Sequence, residues 1–115
     1  MEKEVIEGYG PPDLVDRVRQ AAWTACVPSG KNFAGINLGG SVLTDTPDEF
    51  CPVKFRVTLE TVPRGDKFIV EGYHSQYLLD NLRRRYRPTT FAGCSLLDAP
   101  GDDTKAYRAT VEIVS

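Results

Sequence analysis

Two segments of this chain carry the same spaced set of polar side chains: Arg56, Thr58 and Glu60 within FRVTLETV (55–62), and Arg108, Thr110 and Glu112 within YRATVEIV (107–114). Period-two alternation sets them on the face opposite Phe55, Val57 and Leu59, or Tyr107, Ala109, Val111 and Ile113. Two further β-rich runs bring Glu7 and Tyr9, and Glu71 and Tyr73. Guanidinium, carboxylate and phenol on neighbouring strands can form a solvated ladder, each cross-strand pair contributing a few tenths to ~1 kcal/mol. They can instead line a polar pocket where the arginines and tyrosines hold an anionic or aromatic ligand. Both readings stand at this level.

Trp23 is the next candidate. On a helix it falls about 140° from the centre of the apolar stripe, at ~100° per residue. An off-stripe tryptophan suits a self-association or partner contact, where Trp and Arg are over-represented; a wide stripe or a covering loop would also accommodate it. Arg87 is its counterpart later in the chain. The run Arg83-Arg84-Arg85-Tyr86-Arg87 reads as a solvated basic helix face, because Tyr86 lies on the apolar stripe and is not interleaved for base stacking.

Other residue types exclude chemistry. His74 is the single histidine and has no serine or cysteine at a recognisable elbow, so no nucleophile–base pair is expected. Gly39-Gly40-Ser41 lacks the spacing and the lysine of a phosphate loop. The acidic loops around Asp45–Glu49 and Asp98–Asp103 lack EF-hand spacing. Cys26, Cys51 and Cys94 form neither a disulfide framework nor a zinc pattern. No catalytic residues, no metal and no cofactor are expected.

These side chains must be positioned by elements that occur twice. IEGYGPPDLVDRVR (6–19) is echoed by VEGYHSQYLLDNLR (70–83), Phe33-Ala34-Gly35 by Phe91-Ala92-Gly93, and residues 55–62 by 107–114. Self-similarity on this scale points to a repeated supersecondary unit. Each copy reads as a strand (Val5–Tyr9, Phe68–Tyr73), a helix, a strand from Phe33 or Phe91, a polar turn region and a third, alternating strand. Asp13 and Ser75 suit the helix N-caps; Pro28 and Pro88 suit the stops. Leu14, Val15, Val18, Ala21, Ala22 and Ala25 form one apolar stripe, and Leu78, Leu79, Leu82 and Tyr86 the other. Pro63-Arg64-Gly65-Asp66 is a tight turn and leaves no linker. The expected fold is α+β: tandem βαββ units (4–62 and 68–114) in one domain over 1–115, forming a mostly antiparallel six-stranded sheet with two helices on one face.

The first half, with VIE, G, P and VRQAA followed by FRVTLE, resembles the βαββ unit of the dodecins, small flavin-binding proteins that assemble into hollow dodecamers. The resemblance implies this fold, assembly and, through the family alone, a flavin. The family's flavin-stacking tryptophan has no counterpart in 32–40, and Arg56, repeated as Arg108, stands where the family often presents a glutamine. The likeness therefore bears on the fold more than on flavin.

At 115 residues the chain has ordinary globular proportions, 41% hydrophobic and 26% charged. A net charge of −2 argues against a dedicated nucleic-acid binder. The acidic start and the lack of any long apolar run predict a cytoplasmic protein without signal peptide or membrane span. The function expected is non-enzymatic: an internal pseudo-dimer that self-associates as a homo-oligomer or docks a protein partner. The alternatives are a small-molecule binder or enzyme using a polar cleft between the repeats, built from Arg56, Arg108, Glu7, Glu71, Tyr9 and Tyr73, and an RNA-contacting accessory protein.

Overall fold

Alternating β-branched and aromatic residues form four long strands that dominate the molecule: β1 (Lys3–Gly10), β4 (Val53–Thr61), β5 (Lys67–His74) and β7 (Lys105–Ile113). The computed structural model describes residues 2–25, 32–44, 46–62, 65–84 and 89–114, and the side chains of all of these except 22–25 and 32–34. Shorter strands β2 (Asn32–Leu38), β3 (Ser41–Thr44) and β6 (Thr90–Phe91) and helices α1 (Leu14–Ala25) and α2 (Leu78–Arg84) complete the elements. The sheet order is β1-β7-β4-β5-β3-β2-β6, with antiparallel pairing throughout, and the sheet curls into a half-barrel.

The α+β class and the antiparallel sheet agree with the sequence expectation; the strand number does not. Seven strands form instead of six, because the stretch from residue 32 to 44 folds back on itself. Gly39 and Gly40 both adopt positive φ (63° and 91°), the geometry of a two-residue hairpin turn whose twist matches its strands. Asn37 and Leu38 consequently pair with Val42 and Ser41. The Phe-Ala-Gly echo also splits structurally. Residues 33–35 lie within β2, whereas Ala92 (φ 52°) and Gly93 (φ 78°) make a tight turn after β6.

That second turn returns the chain to the far edge of the sheet. Phe91 bridges Cys94, and Tyr9 bridges Leu97 through reciprocal N–H···O bonds of 2.9 and 2.8 Å. Gly8 permits this crossing: a Cβ there would lie 2.6 Å from Leu96 Cβ and 2.8 Å from the Leu97 carbonyl oxygen. Gly72 does the same for β3, where a Cβ would meet Leu43 Cβ at 2.9 Å and the Thr44 carbonyl oxygen at 3.0 Å. The glycine of the recurring Glu-Gly-Tyr thus has a steric cause in both places.

One core joins helices and sheet. Leu14, Val15 and Val18 of α1 and Leu78, Leu79 and Leu82 of α2 are buried with Phe55, Val57, Leu59, Tyr107, Ala109 and Val111. Burying a side chain of this size contributes about 1.5–3 kcal/mol. Ser75 caps α2 as expected, its Oγ accepting from the Tyr77 amide at 3.1 Å. The Asp13 carboxylate instead takes Arg17 Nε at 2.8 Å. The expected helix stops at Pro28 and Pro88, the stripe residue Tyr86, and Cys26, Asp45, Pro63, Arg64, Arg85 and Arg87 lie outside the described residues. No described helix is long and apolar enough to cross a membrane.

Candidate functional site

The polar residues singled out in the sequence converge on the outward face of β1, β7, β4 and β5. Register sets them in rows across the four strands. Glu7, Arg108, Glu60 and Lys67 are successive neighbours in one row, and Lys3, Glu112, Arg56 and Glu71 in another. Signs alternate along both rows and oppose each other between them. Arg108 holds Glu7 through Nε and Nη2, each 3.0 Å from Oε2. Arg56 holds Glu71 through Nε and Nη2 at 2.8 Å and reaches Glu112 at 3.6 Å. The Arg56 hydrogen bond, opposed by partial desolvation, holds the Glu71 carboxyl below its ordinary value. Glu7 thus faces Arg108 directly across the β1–β7 pairing.

Between the charged rows runs a third, uncharged one: Val5, Thr110, Thr58 and Ile69. Val5 is 43% exposed and Ile69 51%. Neither residue is of a type that suggests chemistry, and only the pairing register shows that both interrupt the polar outer face at the same level.

Tyr9 and Tyr73 are half-buried beyond the rows, opposite Ala106 and Lys54 respectively. This difference matters. Lys54 Nζ lies 3.6 Å from Glu71 Oε1 and occupies the space beside Tyr73. Ala106 cannot reach Glu7, and here a cavity of about 320 Å³ opens, lined by Glu7, Tyr9, Val62, Asp98, Ala106 and Tyr107. Glu7 and Tyr9 are candidates the sequence already offers; Asp98, considered there only as part of an acidic loop, and Val62 are brought in by loop geometry. The Tyr107 ring is buried and its hydroxyl donates to the Pro11 carbonyl oxygen; burial raises its pKa.

Trp23 lies on α1, with its side chain outside the described residues, and Arg87 lies wholly outside them. The structure therefore brings six of the eight candidate residues onto one face. Within the arginine run, Arg83 is turned back to the sheet, with Nε 2.6 Å from Glu4 Oε1 and Nη1 3.1 Å from Asp80.

His74 sits on the opposite, buried face of β5 at 2% exposure. Its Nδ1 accepts the Ser75 amide hydrogen at 2.8 Å, which places the ring proton on Nε2. Nε2 lies 3.1 Å from the Leu38 carbonyl oxygen and 2.8 Å from Ser41 Oγ. A nitrogen that already carries the proton cannot take one from Ser41, so this contact is no nucleophile–base pair. Burial lowers the His74 pKa.

No protein-family model, curated protein or solved structure matches the chain.

Proposed function

We propose that this chain is a cytoplasmic, non-enzymatic binding and assembly protein, built as an internal pseudo-dimer of duplicated units, with the outward face of β1-β7-β4-β5 as its contact surface. The observation that carries the reading is the uncharged row of Val5, Thr110, Thr58 and Ile69, exposed at both ends and flanked by rows of alternating charge. An apolar centre rimmed by polar groups is the anatomy of a protein contact.

The pseudo-dimer is supported by pairings that recur when the halves are exchanged. Glu7 opposite Arg108 matches Glu71 opposite Arg56, and Thr58 lies opposite Thr110. The Val62 amide donates to Ala106 and the Val114 amide to Lys54, both at 2.9 Å. Arg19 of α1 reaches the Lys67 carbonyl oxygen on β5, while Arg83 of α2 reaches Glu4 on β1.

A photo-crosslinker at Thr58 or Thr110, with a control at exposed Asp102, tests the contact surface in cells. Cross-links to protein from the two threonines but not from the control support it. Equal labelling from all three positions contradicts it.

A second reading, a small-molecule site, is favoured by the cavity that Glu7 and Tyr9 share with Asp98 and Tyr107 of the other half. A chromophore such as flavin in freshly purified protein, lost with Tyr9→Ala, would favour that reading.

A further inference from the structure

We infer that the partner of the outward sheet face is a second copy of this chain, packed face to face about a twofold axis. The inference rests on the contact surface proposed above and adds the identity of its occupant.

Charge register favours a second copy. Take a twofold axis lying in the plane of contact and parallel to the strands. It reverses the strand order, so Glu7 meets Lys67 of the second copy and Arg108 meets Glu60. In the other row Lys3 meets Glu71, and Glu112 meets Arg56. An in-plane axis perpendicular to the strands instead exchanges the rows. Glu7 then meets Lys3, Arg108 meets Glu112, Glu60 meets Arg56 and Lys67 meets Glu71. Every charged position of the two rows finds the opposite sign under either operation. A self-complementary patch of this kind is what an isologous dimer requires. Under both operations the uncharged row meets its own counterpart, putting Val5 and Ile69 against β-branched side chains.

Area sets the strength. Four strands about 4.8 Å apart and eight residues at about 3.4 Å each give a face of roughly 500 Å². Two such faces bury about 1,000 Å², the lower bound for a specific interface. A face at that lower bound makes the dimer weak and reversible, with dissociation in roughly the micromolar range. Its lateral ion pairs do not oppose it, since the guanidinium and carboxylate edges remain partly exposed.

The test uses sedimentation equilibrium on the full chain and two charge-uniform variants. One carries Glu7→Lys, Glu60→Lys, Glu71→Lys and Glu112→Lys; the other carries Lys3→Glu, Arg56→Glu, Arg108→Glu and Lys67→Glu. Each alone is expected to dissociate at least about thirtyfold more readily than the parent chain, because like charges now oppose each other. An equimolar mixture is expected to restore a heterodimer. If a charge-uniform variant fails to fold, Val5→Ser with Ile69→Ser leaves every charge in place and should weaken the dimer about tenfold. A parent chain that stays monomeric at several hundred micromolar overturns the inference, as does a serine variant that associates normally. Cross-links from Thr58 to a different protein, with no dimer in solution, overturn the second-copy occupant while leaving the contact surface intact.

Discussion

Acidification should destabilise this protein through His74 alone in the range where no ordinary carboxylate titrates. The ring is 2% exposed, its Nδ1 accepts from the Ser75 amide, and its Nε2–H faces the Leu38 carbonyl oxygen. Protonating Nδ1 would set two donors against each other and place a charge among apolar neighbours, including the Phe55 ring at 6.5 Å. The folded pKa is therefore depressed, with burial as the largest cause. The folded state then binds fewer protons than the unfolded one, so stability is complete above the unfolded value of about 6.5 and falls as pH drops below it. The slope approaches ~1.4 kcal/mol per pH unit until the folded pKa is reached. Between about pH 7.5 and about pH 5.5 the expected loss is at most ~1.4 kcal/mol. Urea unfolding across that range measures it directly. His74→Leu should remove the slope and also lower stability by about 2–4 kcal/mol, since it strands the Leu38 carbonyl and the Ser75 amide. A flat profile for the parent chain, or an equal slope in His74→Leu, would show that His74 does not set the acid limb.

Three further outcomes follow from local geometry. Gly72→Ala and Gly8→Ala should each lower the melting free energy by about 1–3 kcal/mol, because the new Cβ collides with Leu43 and Thr44 or with Leu96 and Leu97; thermal melts check this. Ala92→Gly should be neutral or stabilise by up to about 1 kcal/mol, since it relieves a left-handed backbone held by a residue with a Cβ; calorimetry decides. Glu71 should titrate below the ordinary glutamate value by carboxyl NMR, and Arg56→Gln should raise it. That pair's contribution to stability is present above the unfolded glutamate pKa and is lost as pH falls through the folded value.

Local periodicity made much of the framework legible. The alternation in 55–61 and 107–113 identified both buried and exposed faces of β4 and β7, and the stripes Leu14-Val15-Val18 and Leu78-Leu79-Leu82 identified the helix faces that enter the core. The hairpin of β2 and β3 was missed because Gly39-Gly40 has meaning only as a pair of positive-φ residues, which composition does not reveal. His74 was set aside as a lone histidine; its partners Leu38 and Ser41 stand 36 and 33 residues away in sequence. The cavity was legible only in Glu7 and Tyr9. In it Ala106 stands opposite Tyr9 where Lys54 stands opposite Tyr73, a difference visible only once the register is known.

If this protein associates with itself, the contact lies on the uncharged row across β1-β7-β4-β5. Methyl NMR on dilution from millimolar to low-micromolar protein tests it most directly, because it reads self-association and its location together. Concentration-dependent shifts are expected at the methyls of Val5, Thr58, Ile69 and Thr110, with buried Leu14, Leu59 and Leu78 unchanged. Shifts confined to Val62 and Ala106 beside the cavity, or no shift at any of the four row positions, would contradict it.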